Sequence, residues 1–177
     1  MGQQNVPQNV PQNLPQNLPQ VLLLSDAAAT RALGHSLALQ WLALPPGSRP
    51  LLVLQGDLGA GKTSLVQGVA AALGITEPIT SPTFALAQQY QGDNGALVHL
   101  DLYRLDHVAA ADELLAQEEE AALELGALLA LEWPERLSTH PHQAWQVRLD
   151  FSDPHNPEAG RLALLRGPVR QQPPETP

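Results

Sequence analysis

Residues 56–63, with the sequence GDLGAGKT, set narrow limits on the fold of this chain. They fit the pattern G-x-x-x-x-G-K-[ST] of a phosphate-binding loop, or P-loop. The apolar segment 51–55 predicts a strand directly before the loop, and the pattern over 62–73 predicts a helix directly after it. In that setting small residues let backbone N–H groups approach phosphate oxygens, and the N-terminus of the helix adds partial positive charge. We therefore expect a site for a nucleoside triphosphate with magnesium.

Two side chains of this loop have specific roles. Lys62 is the single lysine among 9 basic residues. A compact ammonium on a flexible stem suits contact with the outer phosphates, where a forked guanidinium would not fit. The hydroxyl of Thr63 is the expected magnesium ligand. Asp57, inside the loop, is expected to brace the turn rather than to contact metal.

Composition excludes several other classes of protein. The chain has 177 residues, which suits one domain, and its net charge of −9 argues against binding nucleic-acid phosphates strongly by itself. It has no cysteine, which excludes disulfides and thiolate metal sites. Its longest apolar runs are four or five residues, against the roughly 20 that a membrane helix needs, and no export signal is visible. We expect a soluble, cytoplasmic protein without a membrane segment.

The two ends of the chain differ from its body. Residues 5–20 repeat NVPQ, NVPQ, NLPQ and NLPQ, and residues 167–177 are rich in proline. Such segments bury too little apolar surface to offset the entropy of ordering. We predict a disordered low-complexity tail over 1–20, a disordered tail over 167–177, and a single folded domain over 21–166.

Hydrophobic patterns within 21–166 predict alternating strands and helices. Alternating or continuous apolar segments predict strands over 21–24, 51–55, 84–90, 96–102, 127–132, 145–151 and 161–165. Helices are predicted from Ser25 or Asp26 to the proline pair at 45–46, over 62–73, and over the acidic segment 112–125. A turn through 92–95 joins two of the strands as a hairpin. Together these elements predict an α/β fold: a P-loop NTPase with three layers around a mixed, parallel and antiparallel, central sheet.

Two acids end apolar strands and could complete a magnesium site. Asp101 follows 97–100 and Glu132 follows 127–131. Ligand sites in such sheets lie at the carboxyl ends of strands. For each acid, a surface carboxylate without a ligand is an equal alternative. Thr83, about 20 residues after the P-loop, is a candidate sensor of the γ-phosphate.

Other residues near these acids leave alternatives open. His99 is expected to face away from the site, since a lone histidine is seldom a ligand. Trp133, directly after Glu132, could stack on a base or a partner, or could be a buried anchor. Arg104 and Arg136 could reach phosphate or could pair with nearby surface acids. The acids of 112–124 form a solvated helix face or, as a sharper hypothesis, a partner surface.

Four stretches in this order resemble one family, TsaE, also called YjeE. They are GDLGAGKTSLVQG, TSPTFAL, HLDLYRL and LEWPERL, and a Gly–Arg pair at 160–161 opens the last strand as in that family. The resemblance covers about 25–166. The conjunction is more specific than the P-loop alone, because many P-loop proteins lack the DLYRL and EWP elements. TsaE is the bacterial ATPase of tRNA threonylcarbamoyladenosine biosynthesis.

The resemblance implies roles for particular residues. Gly59, Ala60, Gly61, Lys62, Thr63 and Ser64 would wrap the phosphates of ATP. Thr63 and Glu132 would coordinate Mg²⁺, with Asp101 contributing directly or through water. Glu132, Asp101 and Trp133 would be the catalytic set, and Arg161 is a candidate nucleotide contact.

The resemblance also implies an activity and partners. Members bind the TsaB–TsaD heterodimer, in which TsaD transfers a threonylcarbamoyl group, from an adenylate made by TsaC, to adenosine 37 of tRNAs that read codons beginning with adenine. Hydrolysis of ATP by TsaE, weak or dependent on partners, supports repeated turnover. The acidic charge of this chain agrees with partners holding the tRNA.

The residue patterns alone are also compatible with two other functions. One is a small-molecule P-loop kinase, although kinases usually have an arginine-rich lid and no arginine lies between Arg104 and Arg136. The other is a nucleotide-gated binding module with negligible turnover.

Overall fold

The computed structural model describes residues 19–168. Both predicted tails lie almost wholly outside these residues, so their disorder stays a prediction; Gln20, at the boundary, begins the first strand. The strands are β1 (Gln20–Leu24), β2 (Leu51–Gln55), β3 (Ala87–Gln91), β4 (Ala96–Asp101), β5 (Leu128–Glu132), β6 (Ala144–Phe151) and β7 (Arg161–Arg166). The helices are α1 (Ala27–Ala43), α2 (Lys62–Ala72) and α3 (Val108–Leu125), with short 3₁₀ turns at Pro46–Ser48 and Pro134–Arg136.

The strands of the described region form one mixed sheet, in the order β1-β7-β6-β2-β5-β4-β3. Strands β6, β2, β5 and β4 are parallel neighbours. Antiparallel pairs, β1 with β7, β7 with β6, and β3 with β4, extend both sides. The α/β class and the mixed sheet are therefore confirmed. Because β2 and β4 both flank β5, their carboxyl ends bring the P-loop, Asp101 and Glu132 to the same edge.

Side chains of the central strands alternate between two cores. Leu52 and Leu54 of β2 join a core with α1 and α2 on one face. Val53, between them, joins a second core with Ala111 and Leu115 of α3 on the other face. This period of two is expected for strands covered on both sides. The three-layer arrangement is confirmed.

Helices α1 and α2 approach closely at two glycines. A Cβ atom on Gly34 would lie 2.0 Å from the carbonyl oxygen of Leu65, and one on Gly68 would lie 1.9 Å from that of Arg31. Neither position has room for a side chain. The start of α1 is defined by Asp26, whose carboxylate accepts a hydrogen bond from the N–H of Ala29 over 2.8 Å, as an N-cap does.

Two predicted boundaries are wrong. The strand predicted over 84–90 begins at Ala87, because the preceding residues turn, with a bond from Leu86 N to Pro82 O and a φ of 66° at Leu86. The helix predicted from residue 112 begins at Val108, since the alanines that precede the acidic segment also favour helix. The hairpin turn is confirmed by the 2.9 Å bond from Gly92 N to Gly95 O. In residues 19–168 no helix is both long and apolar enough to span a bilayer.

Candidate functional site

The P-loop connects β2 to α2 through glycines in left-handed backbone conformations. Gly59 has a φ of 79° and Gly61, the N-cap of α2, a φ of 105°. L-residues with a side chain rarely adopt these angles. At Gly56 space also matters, because a Cβ there would lie 2.3 Å from the carbonyl oxygen of Leu149. The glycines therefore allow both the turn of the loop and its close approach to the sheet.

Lys62 points back into this loop. Its ammonium donates hydrogen bonds to the carbonyl oxygens of Gly56, over 2.6 Å, and of Asp57, over 3.0 Å. The Lys62 side chain is buried, and burial lowers its pKa, against the opposing effect of the nearby Glu132 and Asp101 carboxylates. A cation is thus held where phosphate oxygens would approach. The backbone oxygen of Asp57 accepts from Lys62 and from the N–H of Ala60, bonds that any residue at this position would make, so the expected role of the Asp57 side chain stays a prediction.

Glu132 ends β5 with its carboxylate beside the P-loop. Its Oε1 accepts a hydrogen bond from Thr63 Oγ1 over 3.3 Å and lies 2.8 Å from Nε2 of His99. The prediction that His99 faces away from the site is wrong. His99 and Asp101 are two residues apart on β4, so they share one face of the sheet, and that face meets the P-loop.

Asp101 accepts three hydrogen bonds from nearby donors. Its Oδ2 accepts from the hydroxyls of Ser81, over 2.8 Å, and Thr83, over 2.7 Å. Its Oδ1 accepts from the backbone N–H of Tyr103 over 2.9 Å. The carboxylate thus ties the segment that carries Thr83 to the end of β4, directly beside Glu132 in the sheet register. This geometry suits a role in positioning, or contact with a metal through water.

Most of the expected site residues line one cavity of about 470 Å³. The residues expected in the site that line it are Gly59, Gly61, Lys62, Thr63, Ser64, Thr83, Asp101, Glu132 and Trp133. Arg104, one of the two arginines that could reach phosphate, also lines it, and four residues without a predicted role complete the lining: Leu58, Ser81, Phe84 and Tyr103. Ser81 lies two residues before Thr83, Phe84 lies directly after it, and Tyr103 follows Asp101 by two residues. Proximity in sequence to predicted site residues is therefore the signal that could identify these three.

Ala60 and Arg161 lie at a second, adjacent cavity of about 260 Å³ on the other side of the loop. Arg161 Nε donates to the carbonyl oxygen of Ala60, and Nη2 to that of Gly59, each over 3.0 Å. Its guanidinium also lies 4.3 Å from the centre of the Phe151 ring. Arg161 thus supports the P-loop through backbone carbonyls and lines the adjacent cavity, and its contact with nucleotide stays a prediction.

The donor set fits magnesium. Thr63 and Glu132 present a hydroxyl and a carboxylate, the oxygen ligands that Mg²⁺ prefers, and Mg²⁺ commonly binds through one or two protein oxygens plus substrate phosphates and water. No cluster of three or more His, Cys, Asp or Glu able to hold a metal ion occurs within residues 19–168.

A comparison with models of protein families shows which family this chain belongs to. The family model described as "Threonylcarbamoyl adenosine biosynthesis protein TsaE" matches residues 24–159. The chain belongs to the TsaE family. The match includes the P-loop, both strand-end acids and Trp133, and it confirms the resemblance inferred from the four motif stretches.

Relatives of this TsaE-family chain are similar over most of its length. The Synechocystis sp. protein named "tRNA threonylcarbamoyladenosine biosynthesis protein TsaE" is 46% identical over 123 residues, covering 68% of this chain and 73% of that protein. A protein of the same name from Nostoc sp. is 40% identical over 132 residues, covering 75% and 78%. The crystal structure of Bacillus subtilus YdiB matches with a TM-score of 0.56 over 86% of each chain, at 24% identity, and supports the fold.

The structure also separates the alternatives left open beside the TsaE motifs. Trp133 is half-buried, with a φ of 63°, and its ring centre lies 4.8 Å from that of Tyr103. It lines the cavity and also packs against the core on the α3 face, so it combines part of both alternatives. Arg136 pairs with Asp106 over 3.7 Å, whereas Arg104 lines the cavity and lies over Phe84 at 4.1 Å.

Proposed function

We propose that this chain is a magnesium-dependent ATPase that supports formation of the threonylcarbamoyl group on adenosine 37 of tRNAs reading codons that begin with adenine, acting with TsaB and TsaD. One observation carries the ATPase part: the Thr63 hydroxyl of the P-loop meets the Glu132 carboxylate over 3.3 Å, with the Lys62 ammonium in the same cavity. A glycine turn without this function would not need a buried lysine and a buried acid beside it.

The residues of the chain divide the work on ATP as follows. The backbone N–H groups of 59–64 and the Lys62 ammonium would hold the phosphates, as in other P-loops. Thr63 and Glu132 would hold Mg²⁺, which when bound neutralises charge on the phosphate oxygens. Asp101 would act on the metal site through water and would position Thr83 to sense the γ-phosphate. Trp133 would cover the phosphate end of the cavity.

The role in tRNA modification rests on family membership and on charge. Both relatives described above bear the name of tRNA threonylcarbamoyladenosine biosynthesis. With a net charge of −9, this chain is unsuited to hold tRNA alone, because strong binding to phosphates requires clustered Lys and Arg. We therefore assign the tRNA to TsaB–TsaD and the ATP cycle to this chain.

Phosphate release tests the proposed activity. We expect release from ATP to be measurable when TsaB–TsaD is present and weak without it, and to be lost in Glu132→Ala. Glu77→Ala is the matched control, because Glu77 is an exposed acid away from the cavity. Equal release by the unmodified chain and Glu132→Ala would remove Glu132 from its assigned role.

Binding and product analysis test the rest of the proposal. Calorimetry at millimolar ATP should detect association with the unmodified chain, and Lys62→Ala should weaken it about 10- to 100-fold, the effect of losing a hydrogen bond from a charged group. Incubation with ATP and candidate small-molecule acceptors separates the kinase alternative, because a kinase would transfer the phosphoryl group rather than release phosphate.

A further inference from the structure

His99 and Glu132 meet inside the sheet. His99 is fully buried and Glu132 is 2% exposed. In the register of β4 with β5, His99 lies opposite Ala130, and Asp101 lies opposite Glu132. Residues two apart share a face, so His99 and Glu132 are diagonal neighbours. The small side chain of Ala130 leaves room for the imidazole to reach Glu132.

The hydrogen-bond pattern assigns a tautomer to His99. Nε2 lies 2.8 Å from Glu132 Oε1, whereas Nδ1 is buried and has no hydrogen-bond partner among residues 19–168. A buried N–H without an acceptor is costly, so the hydrogen is placed on Nε2, where the carboxylate accepts it. Nδ1 then carries a lone pair.

The donors to Glu132 fall on one of its two oxygens. Both hydrogen bonds to this carboxylate within the described residues, from His99 and from Thr63, end on Oε1. A carboxylate held by two donors on one oxygen cannot rotate freely, and its other oxygen is left for a ligand. Partners of this kind, one step removed from a metal, orient ligands and tune their affinity.

We infer that His99 is a positioning residue: its Nε2–H fixes Oε1 of Glu132, so that the carboxylate presents Oε2 to Mg²⁺ or to a water bound to it. This inference rests on the proposed function, because it assigns a role within the same ATP site. His99 itself contacts neither nucleotide nor metal. Its loss should therefore weaken the gain that Mg²⁺ gives to ATP binding, and leave metal-free binding through the P-loop intact.

Replacements of His99 that differ in side-chain length and in hydrogen-bond donors distinguish a positioning role from a packing role. In His99→Gln the side-chain amide can be placed where Nε2 lies and can donate to Glu132. In His99→Asn the amide reaches only the level of Nδ1, and His99→Phe fills the volume without a donor. Val98→Ala is the matched packing control, because Val98 is a fully buried neighbour on the same strand whose side chain belongs to the core on the opposite face.

The first experiment measures ATP affinity by calorimetry in Mg²⁺ and in EDTA. We expect the ratio of the two affinities to fall about 10- to 100-fold in His99→Phe and His99→Asn, with the EDTA value unchanged. His99→Gln should restore most of the ratio, and Val98→Ala should keep it in full while lowering the melting temperature. An unchanged ratio in His99→Phe, or equal ratios for the Gln and Asn variants, would overturn the inference.

The second experiment needs no nucleotide. Long-range ¹H–¹⁵N NMR spectra of the full chain should show His99 with hydrogen on Nε2 and a bare Nδ1; the opposite tautomer would overturn the inference. The calorimetry of the first experiment also separates the two proposals. If the unmodified chain shows no Mg²⁺-dependent gain in ATP affinity, the proposed function fails and the inference fails with it. If the gain is present and survives in His99→Phe, the inference alone fails.

Discussion

The ammonium of Lys62 lies 4.2 Å from the centre of the Trp133 ring, in a cation–π contact. The same ammonium donates to two carbonyl oxygens of the P-loop, and it is the group that ATP phosphates would approach. Phosphates that approach this ammonium would bring negative charge close to the indole ring and alter its electrostatic surroundings. Trp133 is in a position to report occupancy of the site.

Tryptophan fluorescence should detect this change. We expect addition of ATP with Mg²⁺ to alter the emission of the unmodified chain, and Trp133→Phe to abolish the alteration while calorimetry still detects binding, because phenylalanine keeps an aromatic face over Lys62. Trp145→Phe, a substitution in β6 outside the cavity lining, should keep the signal. A signal that persists in Trp133→Phe would show that another tryptophan responds.

Lys62 should also make stability depend on pH. Burial lowers its pKa from the usual value of 10.5, so the unfolded chain holds this proton more tightly than the folded chain. Between the lowered pKa and 10.5, the unfolded state binds more protons, and the contribution of Lys62 to stability rises with pH. Urea unfolding should therefore show Lys62→Met more stable, relative to the unmodified chain, at neutral pH than at alkaline pH. A difference that is independent of pH would contradict the burial of a charged lysine.

The Thr83–Asp101 hydrogen bond predicts a split between two conservative substitutions. Thr83→Val keeps the shape of the side chain but removes the donor to Asp101 Oδ2, whereas Thr83→Ser keeps the hydroxyl. We expect Thr83→Val to lower stability by about 1 kcal/mol and partner-stimulated phosphate release several-fold. Thr83→Ser should retain both. Equal behaviour of the two variants would mean that the hydroxyl has no part in the site.

Local patterns predicted the P-loop and the acids at the ends of β4 and β5. The P-loop is a contiguous motif with a strand before it and a helix after it, and each acid follows an apolar run. The period of two also places His99 on the face of Asp101. If Asp101 lies in the site, this period predicts that His99 lies on the same face, and the prediction that His99 faces away is wrong because it considers the histidine in isolation.

Contacts between distant segments could not be predicted in the same way. Arg161 reaches the P-loop across about a hundred residues of sequence, because the order β7-β6-β2 brings the start of β7 near the end of β2. Its partners are backbone carbonyls, which carry no signature in the sequence. The predicted start of β3 is also wrong, since Phe84 and its neighbours favour strand while the left-handed backbone at Leu86 imposes a turn.

Arg161 should matter for ATP affinity through the loop that it supports. Arg161→Lys keeps the charge but cannot reproduce the paired donation to Gly59 and Ala60. We expect ATP affinity to fall about tenfold and the amide hydrogens of the P-loop to exchange faster, without loss of the folded state. Arg148→Lys is the control, because Arg148 pairs with Asp150 on the exposed surface of the sheet. Equal effects in both variants would contradict a specific support of the loop.

The contact between α1 and α2 predicts an unusual cost for a glycine-to-alanine substitution. In an open helix Gly68→Ala would stabilise the chain by about 1 kcal/mol, because alanine has the higher helix propensity. Here the new Cβ would lie 1.9 Å from the carbonyl oxygen of Arg31, so the helices must separate. We expect urea unfolding to show a free energy of unfolding lower by about 1–3 kcal/mol. The P-loop should also be held less firmly, because α2 begins at Lys62. Gly47→Ala, where no atom lies within 4 Å of the added Cβ, should change stability by less than about 0.5 kcal/mol. A higher free energy of unfolding for Gly68→Ala would contradict this close approach of α1 and α2.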